Sequence, residues 1–282
     1  MSHLTETPKF RVFTQRDLER IPQLQALPTD MRDGMKAVAS VLPFRVNQYV
    51  IDELIDWSRV PDDPIFQLTF PQAGMLHKAD YEQMLSLVRK GAGKDEIAAA
   101  AKSVQRNLNP HPAGQKQMNV PHVDGVPLPG MQHKYRETVL FFPTQGQTCH
   151  AYCTYCFRWA QFVGLDDMKF AGREPELLAS YLKQHPEVRS VLFTGGDPMV
   201  MKTRNLRQYI EPLLQIEHIN SIRIGTKAVA YWPQRFVNDP DAKDLLSLFS
   251  QVVESGKHLA VMGHYSHPRE LSTPIAREAV SR

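Results

Sequence analysis

The sequence predicts an α/β fold, in which a parallel sheet covered by helices follows an N-terminal helical region. Three observations predict it: apolar runs alternating with amphipathic segments from Val139 onward, a helical apolar period over the first 108 residues, and a Pro-rich stretch between them. In the first region Met31, Met35, Val38 and Leu42 line one face after Thr29, and Ile97, Ala101, Val104 and Leu108 line another. Residues 1–108 are therefore expected to form a helical accessory region. Residues 109–133 carry Pro110, Pro112, Pro121, Pro127 and Pro129 among Gly and His, which argues against regular helix or strand and reads as a surface connector.

Residues 134–282 hold the α/β part. Strands are expected at Val139–Phe142, Val191–Phe193, Ile222–Gly225 and His258–Met262, separated by helices at Glu174–Gln184, Lys202–Leu214 and Asp241–Glu254. Four βα units in series imply parallel strands, whose chemistry collects at their C-terminal ends. The cysteines follow the first of these strands and Gly195–Asp197 follow the second, so both should project from the same rim.

Composition excludes several functions. An apolar fraction of 42% suits a globular chain with a sizeable core, and 33 basic against 30 acidic residues leave a formal net charge of +3 with no one-sided basic footprint for nucleic acid. No segment reads as a signal core or a membrane span, and a cytoplasmic location is expected. All three cysteines fall within eight residues, which suits a metal centre better than secreted disulfides.

Cys149, Cys153 and Cys156 are spaced C-x3-C-x2-C, with Tyr155 just before the third. Three thiolates on a short loop can ligate three irons of a [4Fe–4S] cluster and leave the fourth open for a ligand. Two other readings stay open: a zinc site completed by His150 or another histidine, and reduced cysteines packed without metal. Zinc sites usually show paired C-x2-C knuckles, which this asymmetric triplet lacks. Thr194, Gly195, Gly196 and Asp197 form a strand-end turn where the backbone can approach a ligand closely and a carboxylate can meet an ammonium group. By itself such a turn is more often a tight connection.

The cysteine spacing resembles the signature of the radical S-adenosylmethionine (SAM) superfamily. Several stretches also resemble the lysine 2,3-aminomutase family: Pro129–Tyr135; Cys156, Phe157 and Arg158; Thr194–Asp197; Ile222–Lys227 with Pro233, Gln234 and Arg235; and His264–Pro268. Asn47, Trp57 and Asp62–Pro64 extend it toward the N-terminus. The resemblance implies a partial TIM-like βα barrel and an isomerase that cleaves S-adenosylmethionine to a 5′-deoxyadenosyl radical, which drives amino-group migration on an amino acid. It implies that Cys149, Cys153 and Cys156 hold the cluster, and that Tyr155 and the Thr194–Asp197 turn contact the cofactor. Arg158 would pair with the substrate carboxylate. Lys134 and Tyr135 would hold the phosphate of pyridoxal phosphate, although Thr138 stands where the family has a further arginine. His264 and His267 are expected to be structural.

Implied partners are a small amino-acid substrate and an electron donor such as flavodoxin or ferredoxin, with homo-oligomer formation left open. Two alternatives remain: a radical SAM enzyme without pyridoxal phosphate, and a degenerate iron–sulfur binding module without turnover. The family's further barrel strands, its two carboxylates for the distal amine and its aldimine lysine have no counterpart up to Arg282. The expectation is a fragment, inactive if truncated, or a chain completed by another. Alone, it is expected to form no stable internal aldimine.

Overall fold

The computed structural model describes residues 9–108, 114, 117–164 and 169–282. The chain divides into two compact units: one draws on residues 9–112 and 150–169, the other on 113–149 and 170–282. Pro110 and Pro112 of the expected connector lie outside the described residues.

The first unit opens with a small antiparallel ribbon, β1 (Val12–Thr14) paired with β2 (Arg45–Asn47). Its helices are α1 (Pro22–Gln25), α2 (Thr29–Val41), α3 (Pro64–Thr69), α4 (Lys78–Arg89) and α5 (Lys94–Asn107). The expected apolar stripes find their partners: Val38 and Leu42 of the α2 stripe and Ala101 and Val104 of α5 share one core with Met84 and Leu87 of α4. Asp63 shows why α3 starts where it does. Its carboxylate accepts from the Ile65 and Phe66 amides, and Pro64 occupies a first-turn position where its missing N–H is harmless.

The second unit starts with a hairpin, β3 (His122–Val123) against β4 (Val126–Pro127), inside the stretch expected to be irregular. The strands form because Asp124 and Gly125 both adopt positive φ, 51° and 77°, the two-residue turn that matches strand twist. The main sheet has five strands in sequence order: β5 (Met131–Tyr135), β6 (Thr138–Phe141), β7 (Ser190–Phe193), β8 (Ser221–Thr226) and β9 (His258–Gly263). β5 is antiparallel to β6, and the other neighbours are parallel. The sheet is open: β5 and β9 are its two edges, and no closed sheet occurs among the described residues. It is accompanied by α6 (Pro175–Gln184), α7 (Thr203–Leu214), α8 (Ala228–Tyr231), α9 (Gln234–Val237), α10 (Ala242–Glu254) and α11 (Pro274–Ser281).

The parallel strands alternate, because only one of their faces is packed by the helices. Val139, Phe141, Val191, Phe193, Ile222 and Ile224 are buried together with Leu178, Leu182, Leu206, Ile210, Leu245 and Leu248 of α6, α7 and α10. Leu140, Leu192 and Arg223 point to the opposite face and are only half-buried. At the β9 edge a cavity of about 860 Å³ opens between Leu259 and Val261 of the strand and α10 and α11, lined by Phe249, Val253 and Val280. No helix among the described residues is long and apolar enough to cross a membrane.

Candidate functional site

The rim at the C-terminal ends of β6 and β7 is built around two glycines. Gly195 takes φ +136°, a conformation that side chains rarely adopt, and a Cβ there would collide with the Gln147 amide. Gly196 faces the Thr148 backbone so closely that any Cβ would overlap its nitrogen, carbonyl carbon and oxygen. The Asp197 amide donates to the Gly146 carbonyl at 2.9 Å. The glycine turn is thus pressed against residues 146–148, which lead directly into Cys149. Cys149 and the turn therefore share one rim, as their positions after successive strands imply.

Asp197 is 2% exposed and its carboxylate is occupied by the protein's own donors. Oδ1 accepts from the Met199 amide at 2.9 Å and from Thr226 Oγ1 at 2.7 Å, and Oδ2 accepts from the Lys227 amide at 2.8 Å. It joins the end of β7 to the end of β8. The Lys227 ammonium continues the chain of contacts, donating to both Glu270 oxygens at 3.1 Å, to Ser266 Oγ at 3.2 Å and to the His264 carbonyl at 3.3 Å, 4.4 Å above the Tyr231 ring. Glu270 has no exposure at all, so an ion pair with saturated hydrogen bonding is the arrangement that tolerates its burial. From the other side, Arg235 donates to the Met199 and Met201 carbonyls and to Thr203 Oγ1, each at 3.1 Å, and pairs with Asp241 at 3.0 Å. Sequence reasoning passed over these supports, although Lys227 and Arg235 stand in the stretches that carry the resemblance.

Cys153, Tyr155, Cys156 and Arg158 belong to the first unit, where they lie on a loop tied to that unit's own chain. The Tyr152 amide donates to the Arg45 carbonyl and the Thr154 amide to the Leu68 carbonyl, both at 2.8 Å, while Thr154 Oγ1 reaches the Gln67 carbonyl at 3.0 Å. A turn closes between the Cys156 amide and the Cys153 carbonyl at 3.0 Å. Tyr155 and Phe157 are largely exposed, and Arg158 lies 5.3 Å over the Phe157 ring. Burial pushes the Cys156 thiol up, against the opposing pull of the Arg158 amide, and burial lowers the Arg158 guanidinium to about 10, still charged at neutral pH.

Lys134 and Tyr135 sit elsewhere. Tyr135 pairs with Thr138, at the start of β6, whereas the glycine turn follows Phe193, which pairs with Phe141 at the other end. The register thus sets them at the opposite end of the strands, roughly 10 Å away along the strand direction. Both side chains are exposed.

The donor chemistry suits an iron–sulfur centre: none of the three cysteines is in a disulfide, and thiolate sulfur is what such clusters take. Among the described residues no group of three or more His, Cys, Asp and Glu side chains is gathered as a ready-made ligand set. The fit is therefore one of donor type and spacing. Pyridoxal phosphate is implied by the homology alone: Lys134 and Tyr135 are exposed at the end of the strands away from the glycine rim, and the amine of Lys227 is committed to Glu270.

No family model matches the chain. Curated relatives do. An Aquifex aeolicus protein provisionally named an L-lysine 2,3-aminomutase is 32% identical over 257 residues, 91% of this chain and 57% of its own. The L-lysine 2,3-aminomutase of Acetoanaerobium sticklandii is 31% identical over 68% of this chain and 44% of its own, and that of Bacillus subtilis 25% identical over 80% and 40%. The chain spans about half the length of these relatives. It is therefore a homologue of the lysine 2,3-aminomutases, of the radical SAM family, over that half.

Proposed function

We propose that this chain carries the cluster-binding and S-adenosylmethionine-binding part of a radical aminomutase acting on a small amino acid. The observation that supports it most directly is the Gly195–Gly196 turn packed on the residues that lead into Cys149, at the C-terminal rim of parallel strands. On this reading residues 134–282 are part of a βα barrel, residues 1–108 its helical accessory region and residues 109–133 the connector.

Cys149, Cys153 and Cys156 would hold a [4Fe–4S] cluster, and Tyr155 with Thr194, Gly195 and Gly196 would offer backbone to the cofactor. When bound, the cluster supplies one electron, from a flavodoxin or ferredoxin class donor, for reductive cleavage of the sulfonium. The chain's own contribution is placement. Asp197 and Arg235 fix the glycine turn, and the Arg45, Gln67 and Leu68 carbonyls fix the loop after the second cysteine. Arg158 would hold the substrate carboxylate through its planar fork. Lys134 and Tyr135, exposed on β5, would meet the phosphate of pyridoxal phosphate.

Anaerobic reconstitution with iron and sulfide tests the reading. About four irons per chain are expected, lost when any of the three cysteines becomes Ala, with methionine and 5′-deoxyadenosine released on reduction. Stoichiometric zinc without iron, or cluster-loaded protein that never cleaves S-adenosylmethionine, would overturn it.

A further inference from the structure

The outer edge of β9 offers backbone groups in a fixed pattern. The His258 amide donates to the Asn220 carbonyl at 2.8 Å and the His264 amide to the Thr226 carbonyl at 2.9 Å, so the even-numbered residues bond toward β8. Leu259, Val261 and Gly263 therefore turn their N–H and C=O groups outward, where nothing among the described residues meets them. The same three residues line the cavity of about 860 Å³ beneath the edge. At its rim Val253 and Val280 keep 60% and 58% exposure, and Val261, Met262 and Tyr265 are exposed as well. The strand carries no proline, lysine or acidic residue to discourage pairing.

Its side chains fit a copy of themselves. Two such edges related by a two-fold axis run antiparallel, and residues that face each other share a side of the sheet. With the axis at Val261, Leu259 faces Gly263 of the second copy, Ala260 faces Met262, and Val261 faces its own counterpart. Large side chains then meet small ones, and every outward N–H and C=O of the three odd-numbered positions is used. Shifting the axis to Ala260 sets Leu259 against Val261, faces Ala260 with another alanine and gives Gly263 no strand partner. Covering this edge and the rim of the cavity buries roughly 600 Å² per copy, the lower end of what a stable dimer needs. At the opposite edge of the sheet the His133 amide on β5 already donates to the Asn119 carbonyl at 2.8 Å, so pairing ends at two copies.

We propose that two copies of this chain join through β9 as a two-fold dimer with the axis at Val261, continuing one sheet into the next and closing both apolar cavities. The cysteine loop and the glycine turn take no part, so the dimer stands or falls separately from the radical chemistry.

Light scattering at micromolar concentration, on the cluster-free chain, tests it. Twice the chain mass is expected for wild type, and the mass of one chain for Val261→Lys, which puts a charge on each side of the axis. Circular dichroism of that variant should match wild type, since Val261 lies at the surface. Val261→Cys fixes the register independently and carries the test should the lysine variant fail to fold: facing residues of such a pair lie about 5.5 Å apart at Cα, within reach of a disulfide. Mild oxidation should link position 261 to position 261 of the second copy, with peptide mapping to separate this link from any through Cys149, Cys153 or Cys156. A wild-type monomer, open-ended oligomers, a dimer that folded Val261→Lys leaves intact, or no link between the two 261 positions would overturn the proposal.

Discussion

Asp197 behaves as a joint. Replacing it with Ala leaves the Met199 amide, the Thr226 hydroxyl and the Lys227 amide without their acceptor in a buried place, at a cost of about 3 kcal/mol. Urea unfolding should show the loss, while iron content after reconstitution stays at the wild-type level; a variant as stable as wild type would refute the joint. Gly196→Ala makes the complementary test. Its methyl must push into the Thr148 backbone, so stability should fall by about 1–3 kcal/mol and S-adenosylmethionine cleavage should drop with the cysteines intact. Wild-type cleavage by this variant would mean that the loop can yield without consequence. The sequence shows the turn and its glycines, but not what the carboxylate does. The Met199 amide is a local cap two residues on, but Thr226 and Lys227, 29 and 30 residues away, meet the carboxylate only after β7 and β8 pair, and no local pattern records that.

Among elements, the parallel strands and their helices were the most legible part. The expected Val191–Phe193 strand is Ser190–Phe193 and the expected Lys202–Leu214 helix is Thr203–Leu214, because each carries a period that its packing face reads directly. The antiparallel edge was not legible. Proline density argued against strands over residues 109–133, yet β3, β4 and the start of β5 lie there, since a hairpin edge needs no amide from Pro127 and the Asp124–Gly125 turn sets its register. Besides its Phe236 in the core, the short helix α9 is tied to the residues after β7 by Arg235. Arg235→Met should cost about 3 kcal/mol by leaving the Met199 and Met201 carbonyls without their donor and Asp241 without its cation, held then by Thr203 alone, and Arg235→Lys should recover only part of it for want of the fork. Full recovery in the lysine variant, read by thermal melting, would show that charge alone suffices.

For the molecule as a whole, alkaline pH should probe the core beneath the sheet. Tyr209 is 1% exposed and its hydroxyl donates to Gln145 Oε1 at 2.8 Å, beside the Arg173 carbonyl at 3.1 Å. Burial raises its pKa, with the Gln145 hydrogen bond opposing in part. A phenol whose folded value is raised lends stability that is complete below the ordinary value of 10.0 and is lost as pH climbs through the folded one. Between pH 9 and 11 the urea midpoint of wild type should therefore fall further than that of Tyr209→Phe, and parallel curves would contradict the linkage. The hairpin of β3 and β4 carries a different kind of consequence. Among Asp-containing pairs, an Asp followed by Gly, which has no side chain to hinder its nitrogen, is the one most prone to close into a succinimide and reopen as isoaspartate. The two residues that let the turn form thus also start a clock of chemical ageing: the added backbone carbon would lengthen the Asp124–Gly125 loop and unseat the His122–Pro127 register without any change in mass. Peptide mapping of stored protein should find isoaspartate at residue 124 in wild type and none in Asp124→Glu.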